Sequence, residues 1–381
     1  MAIGREQVLA FRLASHGLNR RIKRLVEAAA RCGVQETPLG TAALAFHARV
    51  DALSTGKLEK ALNRDRSLLG LWAMRGAPHV VPATDLGVFT TGAMPFDAAS
   101  FRQMLGGWAP ALDKAGLDPF DLLDRLVRAT DKLLDGESMD VNELRDRLYA
   151  RVRSLHKIER PDSARDDMPE PLFRGLGTKG AVCIVSGRGT DSVMARTDQW
   201  LKRVPEPMDP NAARAELARR FLHCYGPSIA QNFAEWTQRS LADVRQILEL
   251  IEGELIEVKM AGKKALLLAA DEHLLDSPPE AKGVRLLPVQ DAFLQQRDRA
   301  TLLPDQTARR RLWQAVRGPG ALLVDGAVTG TWRGRVKGDR WEVEIEPFGR
   351  SPTRVMDAIV QEVEAMAQFK GCSSAVVAVS G

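Results

Sequence analysis

Apolar residues recur every three or four positions in several stretches of the chain, the spacing of one face of a helix. Near the start, this spacing is followed by Ile22, Leu25, Val26 and Ala29. Further helices are predicted over Thr41–Val50, Ala98–Leu105, Asp121–Leu134, Val141–Val152, Pro210–Cys224, Ser228–Trp236, Leu241–Ile251 and Thr353–Gln368. Asp140 and Ser240 each precede one of these stretches, and we expect them to cap the helices that follow.

Short apolar or alternating runs between turn residues predict strands. Ala181–Val185 and Ser192–Ala195 are predicted to form one hairpin, and Leu255–Lys259 and Ala265–Leu268 a second. Leu71–Pro82 predicts a short strand pair or a turn. In the C-terminal part, strands are predicted over Leu286–Val289, Leu322–Val324, Ala327–Arg333, Arg340–Ile345 and Ala375–Val379.

The order of these elements predicts an α+β fold. Helices followed by a two-stranded hairpin occur in residues 135–208 and again in 209–282, which is the order of a winged helix-turn-helix unit. From residue 283 onward strands and tight turns dominate, and they predict a small β-rich, barrel-like domain. A length of 381 residues agrees with several domains, because single cores stop growing at roughly 250–300 residues.

Composition excludes several classes of protein. Hydrophobic residues make up 45% of the chain and charged residues 27%, a balance that excludes intrinsic disorder, collagen and a disulfide scaffold. The net charge of +5, from 54 Lys and Arg against 49 Asp and Glu, is too small to identify a nucleic-acid partner by itself. No apolar run reaches the roughly 18 residues that a membrane span needs.

Cysteines and histidines show no metal-ligand spacing in the sequence. Cys32, Cys183, Cys224 and Cys372 are far apart and form no CxxC motif, and scattered thiols are typical of a reducing cytosol. None of the six histidines pairs with another at ligand spacing. We therefore expect a cytoplasmic protein with no metal ion, no cofactor and no membrane anchor.

The segment Gly175–Gly180 (GLGTKG) matches the pattern G-x-G-x-x-G. A dinucleotide-binding fingerprint requires a strand before the glycines and a helix after them. Here a strand is predicted after the glycines and no helix follows. The segment is therefore interpreted as a turn before the hairpin and not as a phosphate cradle.

Basic residues concentrate on the first helices and at predicted hairpin tips. Arg20–Arg24 and Arg309–Arg311 form two runs, while Arg188 and Lys263-Lys264 lie at hairpin tips. A third predicted hairpin, Thr331–Glu342, carries Trp332, Arg333, Arg335, Lys337 and Arg340. Cations suit phosphates, and an apolar side chain such as Trp332 can wedge at a base step. These five side chains are the predicted DNA contacts of the hairpin.

Four stretches of the chain resemble one known family. They are Gly33-Val34-Gln35 with Ala42–Val50, Leu71–Asp85 (LWAMRGAPHVVPATD), Arg220–Trp236 (RFLHCYGPSIAQNFAEW), and Leu286–Arg299 with Val324–Phe348 (VDGAVTGTWRGRVKGDRWEVEIEPF). The family is that of the bacterial winged-helix DNA glycosylases that unhook interstrand crosslinks and excise bulky alkylated bases, which includes the azinomycin-resistance enzyme and its relatives. The stretches follow the family order and span nearly the whole chain.

The resemblance implies a fold and a partner. It implies three tandem winged-helix units, in residues 1–134, 135–208 and 209–282, followed by a β-barrel in residues 283–381 around a basic DNA channel. The implied partner is double-stranded DNA that carries damage, and we expect the protein to act as a monomer. Arg75 and His79 lie in the most specific stretch, where they are expected to contact DNA or to support the loop of Gln35.

The catalytic motif of that family is Gln-x-Gln, or Gln-x-Asp, after a Gly-aliphatic pair. Gln35 matches its first position, Glu36 is the middle residue, and Thr37 departs from the motif at the last position. Loss of an alkylated purine passes through an oxocarbenium-like state, and the base leaves as a cation without a general acid, by analogy with sugar hydrolysis. We predict that Gln35 positions the water and that Glu36 or Thr37 assists. The alternative is a non-catalytic DNA-binding relative, a regulator or a lesion sensor.

Overall fold

Helices provide most of the regular structure in the computed structural model, which describes residues 2–186, 192–260, 262–349 and 355–380. In chain order the helices are α1 Arg5–Ser15, α2 Leu25–Ala30, α3 Thr41–Arg49, α4 Thr55–Glu59, α5 Leu86–Phe89, α6 Ala98–Leu105, α7 Ala109–Lys114, α8 Pro119–Leu133, α9 Val141–Arg151, α10 Glu170–Thr178, α11 Thr197–Trp200, α12 Pro210–Tyr225, α13 Ala230–Thr237, α14 Leu241–Glu249, α15 Glu272–Asp276, α16 Arg299–Leu302, α17 Gln306–Leu312 and α18 Met356–Phe369.

Strands are short except in the C-terminal part of the chain. They are β1 Ala2–Ile3, β2 Val34–Gln35, β3 Leu68–Trp72, β4 Pro78–Pro82, β5 Ser138–Asp140, β6 Val182–Ser186, β7 Val193–Arg196, β8 Leu255–Met260, β9 Lys263–Leu268, β10 Val284–Leu287, β11 Gly320–Val324, β12 Ala327–Lys337, β13 Arg340–Pro347 and β14 Ser374–Val379. The predicted mixture of helices and strands, an α+β fold, is confirmed.

Two compact units emerge from the contacts within the chain. The first unit comprises Met1–Lys60, Arg220–Asn232 and Gly253–Gly381, and the second comprises Ala61–Arg219 and Phe233–Glu252. The unit boundaries fall inside α12 and α13, so the units are not successive segments. The four successive domains that the sequence suggests stay a prediction.

The first unit contains two sheets. In one, β1 runs parallel to β8, and β8 pairs antiparallel with β9. In the other, β10, β11, β12, β13 and β14 are neighbours in sequence order, and only the last pair is parallel. Ile359, Val363 and Met366 of α18 are buried against this second sheet. Its strands form an open sheet, and no closed barrel is found among the described residues, although the sequence predicted a barrel-like domain.

In the second unit, five strands lie in the order β4-β3-β6-β7-β5. Strands β3 and β4 form an antiparallel pair, as the mixed apolar stretch Leu71–Pro82 predicted. The core beside them is built from leucines of α8 and α9 together with Phe173 of α10 and Trp72 of β3. Trp72 and Phe173 lie with ring centroids 5.3 Å apart.

Helix starts follow local capping chemistry. The side chain of Asp140 accepts hydrogen bonds from the backbone N–H groups of Asn142 and Glu143 at the start of α9. Ser240 accepts from the N–H of Asp243 at 2.9 Å at the start of α14. Both predicted caps are confirmed, because capping depends on residues within one helical turn.

The glycine-rich segment Gly175–Gly180 is not the turn that the sequence predicted. Its first four residues form the C-terminal half of α10. A side chain at Gly177 would lie 2.8 Å from Cβ of Trp72 and 2.9 Å from its backbone nitrogen. Glycine therefore lets α10 approach β3 closely, which explains the motif without any phosphate.

No helix in the described ranges is long and apolar enough to cross a membrane. The predicted turn Ser186–Thr190, with Arg188 at its tip, lies outside the described residues except for Ser186. The same holds for the first residues of the predicted helix Thr353–Gln368, whose described part is α18.

Candidate active site and nucleic-acid contacts

Gln35 lies at the end of β2 and is 8% exposed. Its side-chain oxygen Oε1 accepts a hydrogen bond from Nε2 of Gln295 at 2.9 Å. Its backbone oxygen accepts from Oγ1 of Thr41 at 3.1 Å, which ties the strand end to the first turn of α3. The side-chain amide of Gln35 is therefore bonded to Gln295, and the backbone that carries it is tied to α3.

Glu36 and Thr37 lie in different surroundings from Gln35. Oε1 of Glu36 accepts from the N–H of Gly40 at 2.9 Å, and Oε2 accepts from the N–H of Ala42 at 2.6 Å. The carboxylate thus caps the N-terminus of α3, where a negative charge also meets the positive end of the helix dipole. Thr37 is exposed. The three adjacent candidates do not form one cluster.

Gln295 is a site residue that the sequence did not single out. It ends a short 3₁₀ helix, Ala292–Gln295, and its Nε2 donates to the backbone oxygen of Gln290 at 2.9 Å as well as to Gln35. It lies in the stretch Leu286–Arg299 that resembles the glycosylase family. No spacing rule links it to Gln35, which is 260 positions away.

A buried ion pair fixes the start of the segment that carries Gln295. Both carboxylate oxygens of Asp291 accept from Arg49 at 2.7 Å, and Arg49 and Asp291 are almost fully buried. Burial lowers the pKa of Arg49, but the charge of Asp291 and its hydrogen bonds together outweigh burial, so the pKa of Arg49 is raised. Asp291 also accepts from the N–H of Phe293 at 2.9 Å and caps the 3₁₀ helix.

A second buried arginine fixes the other end of this segment. Nη1 of Arg12 donates to Oε1 of Gln296 at 2.6 Å and to Asp298 at 2.9 Å, and Arg12 has no exposed surface. Burial lowers the pKa of Arg12, and Asp298 opposes that effect. Gln295 therefore lies on a backbone that is anchored by charge-assisted hydrogen bonds before and after it.

His79 and Arg75 belong to the second unit and are held by protein groups. His79 on β4 is 3% exposed, and its Nδ1 lies 2.8 Å from the backbone oxygen of Ala77. Burial, with the charge of Arg75 in support, lowers the pKa of His79 to about 3, so the ring is neutral at pH 7. Arg75 has a positive φ of 60° and donates to the backbone oxygen of Trp236. Because it is buried, His79 is a structural residue and not the DNA contact that the sequence allowed.

Trp332 on β12 is a core residue of the first unit. It is 7% exposed, its Nε1 donates to the backbone oxygen of Leu287 at 2.9 Å, and its ring meets the edge of Trp341 at 5.7 Å. The sequence predicted Trp332 as an apolar wedge for a base step. The structure corrects this prediction, because the ring would have to leave the core. Val336, which is 55% exposed near the tip of the same hairpin, is the apolar side chain that faces solvent.

Three predicted cations of this hairpin are bound to neighbouring groups. Arg335 and Arg340 share the carboxylate of Glu342, at 2.8 and 2.9 Å. The hydrogen bond from Arg335, followed by that from Arg340, lowers the pKa of Glu342. Arg333 donates to the backbone oxygen of Arg317 at 2.5 Å and to Gln314 at 2.9 Å. All three guanidinium groups nevertheless remain exposed at the surface.

Lys337 is exposed at the end of β12, where the strand turns through Gly338 and Asp339 into β13. Gly338 has a φ of 64°, the left-handed conformation that a tight hairpin turn requires. The hairpin therefore presents cations along an extended arm, as predicted. Arg188 lies outside the described residues.

A basic groove in the second unit was missed by the sequence reasoning. Its volume is about 460 Å³, and it is lined by Arg125, Arg128 and Lys132 of α8, by Arg151 at the end of α9 and by Arg153 just after it. All five side chains are exposed, and none has an ion-pair partner within the described part of the chain. The three cations of α8 are spaced i, i+3 and i+7, which puts them on one helix face. This spacing is visible in the sequence and could have indicated a basic helix face at this position.

Comparison with known proteins first identifies the class of enzyme, the DNA glycosylases. A model of the family described as "DNA glycosylase AlkZ-like" matches residues 28–369, which is most of the chain. The chain belongs to this AlkZ-like family. Membership favours a glycosylase over the non-catalytic DNA-binding alternative.

One curated sequence and one solved structure, both from Streptomyces sahachiroi, are similar to this chain over nearly its whole length. An "Interstrand DNA cross-link repair glycosylase" is 25% identical over 354 residues, which are 90% of this chain and 89% of the relative. The solved structure of DNA glycosylase AlkZ has a TM-score of 0.78 and 24% sequence identity, and the match covers 100% of both chains. At this level of identity, the structural likeness shows a shared fold.

Proposed function

We propose that this protein hydrolyses the N-glycosidic bond of bulky N-alkylated purines in double-stranded DNA and unhooks interstrand crosslinks by the same reaction. The observation that carries the proposal is the hydrogen bond between the buried amide of Gln35 and the half-buried amide of Gln295, whose segment is anchored by Arg49 and Arg12. The name of the Streptomyces relative, a crosslink repair glycosylase, supports the choice of substrate.

The chemistry of the substrate decides what the site must supply. An N7- or N3-alkylated purine is already cationic, so it departs without a proton from the enzyme. The sugar is left with oxocarbenium character, and a water molecule must be held on its open face. Neutral amides are sufficient for that task, because they orient water and place a carbonyl dipole toward positive charge.

Gln295 is the residue that we assign in place of the second motif position. It donates to Oε1 of Gln35 at 2.9 Å and so fixes the rotation of that amide. Thr37, the residue at the second position in sequence, is exposed and has a short side chain. In this proposal, Gln35 positions the water, Gln295 orients Gln35, and Glu36 holds α3 beneath the loop.

A base-release assay tests this assignment. The wild-type protein is expected to release N7-alkylguanine from an alkylated duplex. Gln35→Ala should lower the rate about 100-fold or more, the usual effect of losing one oriented polar group, with DNA affinity unchanged. Gln295→Ala should lower the rate in the same direction but less. Gln361→Ala, an exposed glutamine on α18, is the matched control and should release base at the wild-type rate.

Two results would contradict the proposal in different ways. Release that survives Gln35→Ala would remove Gln35 from the mechanism while leaving the activity in place. Absence of release from every alkylated or crosslinked duplex, with salt-sensitive DNA binding retained, would favour a regulator or lesion sensor.

DNA contact is assigned to two basic surfaces, one in each unit. The first is the hairpin of β12 and β13 with Arg333, Arg335, Lys337 and Arg340. The second is the groove lined by α8, the end of α9 and the segment just after it. Exposed Lys and Arg side chains without internal partners, as in this groove, suit phosphates, because binding releases counterions from the duplex.

The winged-helix assignment is also part of this proposal. In the second unit, the elements α8, β5, α9, α10, β6 and β7 follow the winged-helix order, and β5 pairs with β7, which pairs with β6. The chain orders α2-β2-α3-α4-β3-β4 and α12-α13-α14-β8-β9 are alike. Helix α10 is the third helix in this winged-helix order, after α8 and α9, and most of it is buried. Phosphate contacts by α8 therefore fit this unit better than insertion of α10 into a groove of DNA.

A further inference from the structure

Three side chains that the proposed reaction does not use meet in the core of the first unit. They are His16 after α1, Cys32 after α2 and Cys224 in the last turn of α12, and all are buried. Nδ1 or Nε2 of His16 and the two Sγ atoms all lie within 4.8 Å of one another. The residues are far apart in sequence, which is why no motif indicated them.

The three groups are of the kinds that bind thiophilic metal ions, an unpartnered imidazole nitrogen and two thiols. Nε2 of His16 is buried and finds no hydrogen-bond partner among the described residues. Burial lowers the pKa of His16, so its imidazole is neutral at pH 7. A hydrogen bond from Cys224 lowers the pKa of Cys32 well below its usual range, while burial raises the pKa of Cys224. Metal ions bind the thiolate form of cysteine, so an ion bound here would displace the protons of the two thiols.

The surroundings of the cluster keep water out and orient the ligands. The His16 ring lies 5.1 Å from the Tyr225 ring and 5.5 Å from the Phe293 ring, both in edge-on contact. The Tyr225 hydroxyl lies 3.8 Å from Sγ of Cys32 and donates to the backbone oxygen of Ala292 at 2.8 Å. Aromatic walls and a fixed hydroxyl are the kind of second shell that supports a metal site.

We propose that His16, Cys32 and Cys224 bind one thiophilic d¹⁰ cation, either Zn²⁺ or Cu⁺. Two cysteines and one histidine are a ligand set that these ions share, and softer thiolate ligands exclude Mg²⁺ and Ca²⁺. Ligand atoms around such an ion lie roughly 3.5–3.8 Å apart, given metal–sulfur bonds of about 2.3 Å. The present spacing of up to 4.8 Å needs a contraction of at most about 1.0–1.3 Å, which is within the range of side-chain rotation.

The ion would connect the end of α1, the segment before β2, and α12. Cys32 lies three positions before Gln35, so a bound ion would restrain the backbone that presents the Gln35 amide. The proposal does not rest on glycosylase activity, because binding of the ion is measured directly. It does predict that the ion stabilises the folded chain, since the three ligands meet only in the native state.

The test uses the full chain, reduced and stripped of metal with a chelator. In separate arms, ZnCl₂ and a weakly chelated Cu⁺ salt are added, excess ion is removed by gel filtration, and metal is counted by mass spectrometry. We expect about one ion per chain in at least one arm, together with a higher unfolding temperature. Competition with a chelator of known affinity then gives the dissociation constant of each ion, and the ion with the lower constant is assigned to the site.

Variants locate the site. Cys32→Ser and Cys224→Ser should each lose the bound ion and the stabilisation by metal. Cys372→Ser, a buried cysteine of the same unit outside the cluster, should keep both. Loss of the ion in Cys372→Ser with retention in the other two variants would overturn the proposal. So would binding of less than about a tenth of an ion per chain in both arms.

Cobalt gives an independent readout that needs no variant. Co²⁺ bound by two thiolates and an imidazole shows thiolate-to-cobalt charge-transfer absorption and the visible bands of tetrahedral coordination. If the serine variants do not fold, the wild-type spectrum decides: these bands support the site, and their absence overturns it. A Cys32–Cys224 disulfide that persists after treatment of the metal-free protein with a reductant would also overturn it.

Discussion

At the residue scale, the loop after β2 shows that sequence neighbours can have unrelated tasks. Gln35 is buried and bonded to Gln295, Glu36 caps α3, and Thr37 faces solvent. The motif position therefore identifies one buried amide, to which we assign the positioning of water, whereas the partner of that amide comes from a distant segment. Each of these roles leads to a different result when the side chain is removed.

Glu36→Ala is expected to act on stability and not on chemistry. It removes the acceptor for two backbone N–H groups of α3, which should cost roughly 1 kcal/mol in unfolding free energy. Chemical denaturation measures that loss, and Glu364→Ala on the exposed face of α18 is the control. If Glu36 were instead a catalytic general base, Glu36→Ala would lower the rate of nucleobase release 100-fold or more and leave the unfolding free energy unchanged.

His79 should make stability depend on pH in mildly acidic solution. Its folded pKa of about 3 lies below the unfolded value near 6.5, so the unfolded chain binds the extra proton between these values. Stability is therefore lost as the pH falls through that window, by up to about 1.4 kcal/mol per pH unit. His79→Asn should flatten the slope, whereas exposed His273→Asn should not. An unchanged slope in His79→Asn would show that another group carries the effect.

At the scale of elements, packing decides which residues a helix can contain. The C-terminal half of α10 carries two glycines and a threonine, which are unfavourable for a helix, yet it is helical because it packs on β3. The caps of α9 and α14, in contrast, do not depend on tertiary packing, since they involve only adjacent residues. The same chain thus contains elements set locally and elements set by their neighbours.

Gly177→Ala should destabilise the protein although alanine favours helices. The added methyl group would lie 2.8–3.0 Å from backbone and Cβ atoms of Trp72, which cannot move independently of β3. We expect a loss of about 1–3 kcal/mol in unfolding free energy. Gly56→Ala in α4 is the matched control, because its methyl group would meet no atom within 4 Å, and it should be neutral or stabilising. Equal effects of the two substitutions would contradict the close-packing argument.

At the scale of the whole molecule, positions of charge matter more than their sum. The net charge is only +5, yet one groove is lined by five cations with no ion-pair partner among the residues that the structure describes, and four more cations follow one hairpin. Many other arginines are used inside the protein, as Arg12 and Arg49 show. DNA affinity is therefore expected to depend on two defined surfaces and not on overall basicity.

Salt dependence separates these two surfaces. Replacing Arg125, Arg128 and Lys132 by alanine should reduce the slope of log affinity against log salt by about 2.7, and Arg333→Ala with Arg335→Ala by about 1.8. Arg147→Ala, whose guanidinium is paired with Glu143, is the control and should leave the slope unchanged. A wild-type slope in either multiple variant would show that its surface does not touch DNA phosphates.

The sequence by itself determined the features that depend on neighbouring residues. Most helices and hairpins, the caps at Asp140 and Ser240, and the family resemblance through Gln35 are of this kind. Periodicity and capping act within one or two turns, so they can be read along the chain.

Only the tertiary structure decided which distant groups meet and which side chains are buried. It brought Gln295 to Gln35, Asp291 to Arg49, and Cys224 to Cys32 and His16. It also placed Trp332 and His79 in the interior, where the sequence had suggested DNA contacts. The physical reason is that burial and long-range pairing arise from the packing of whole elements, which local propensity and spacing do not encode.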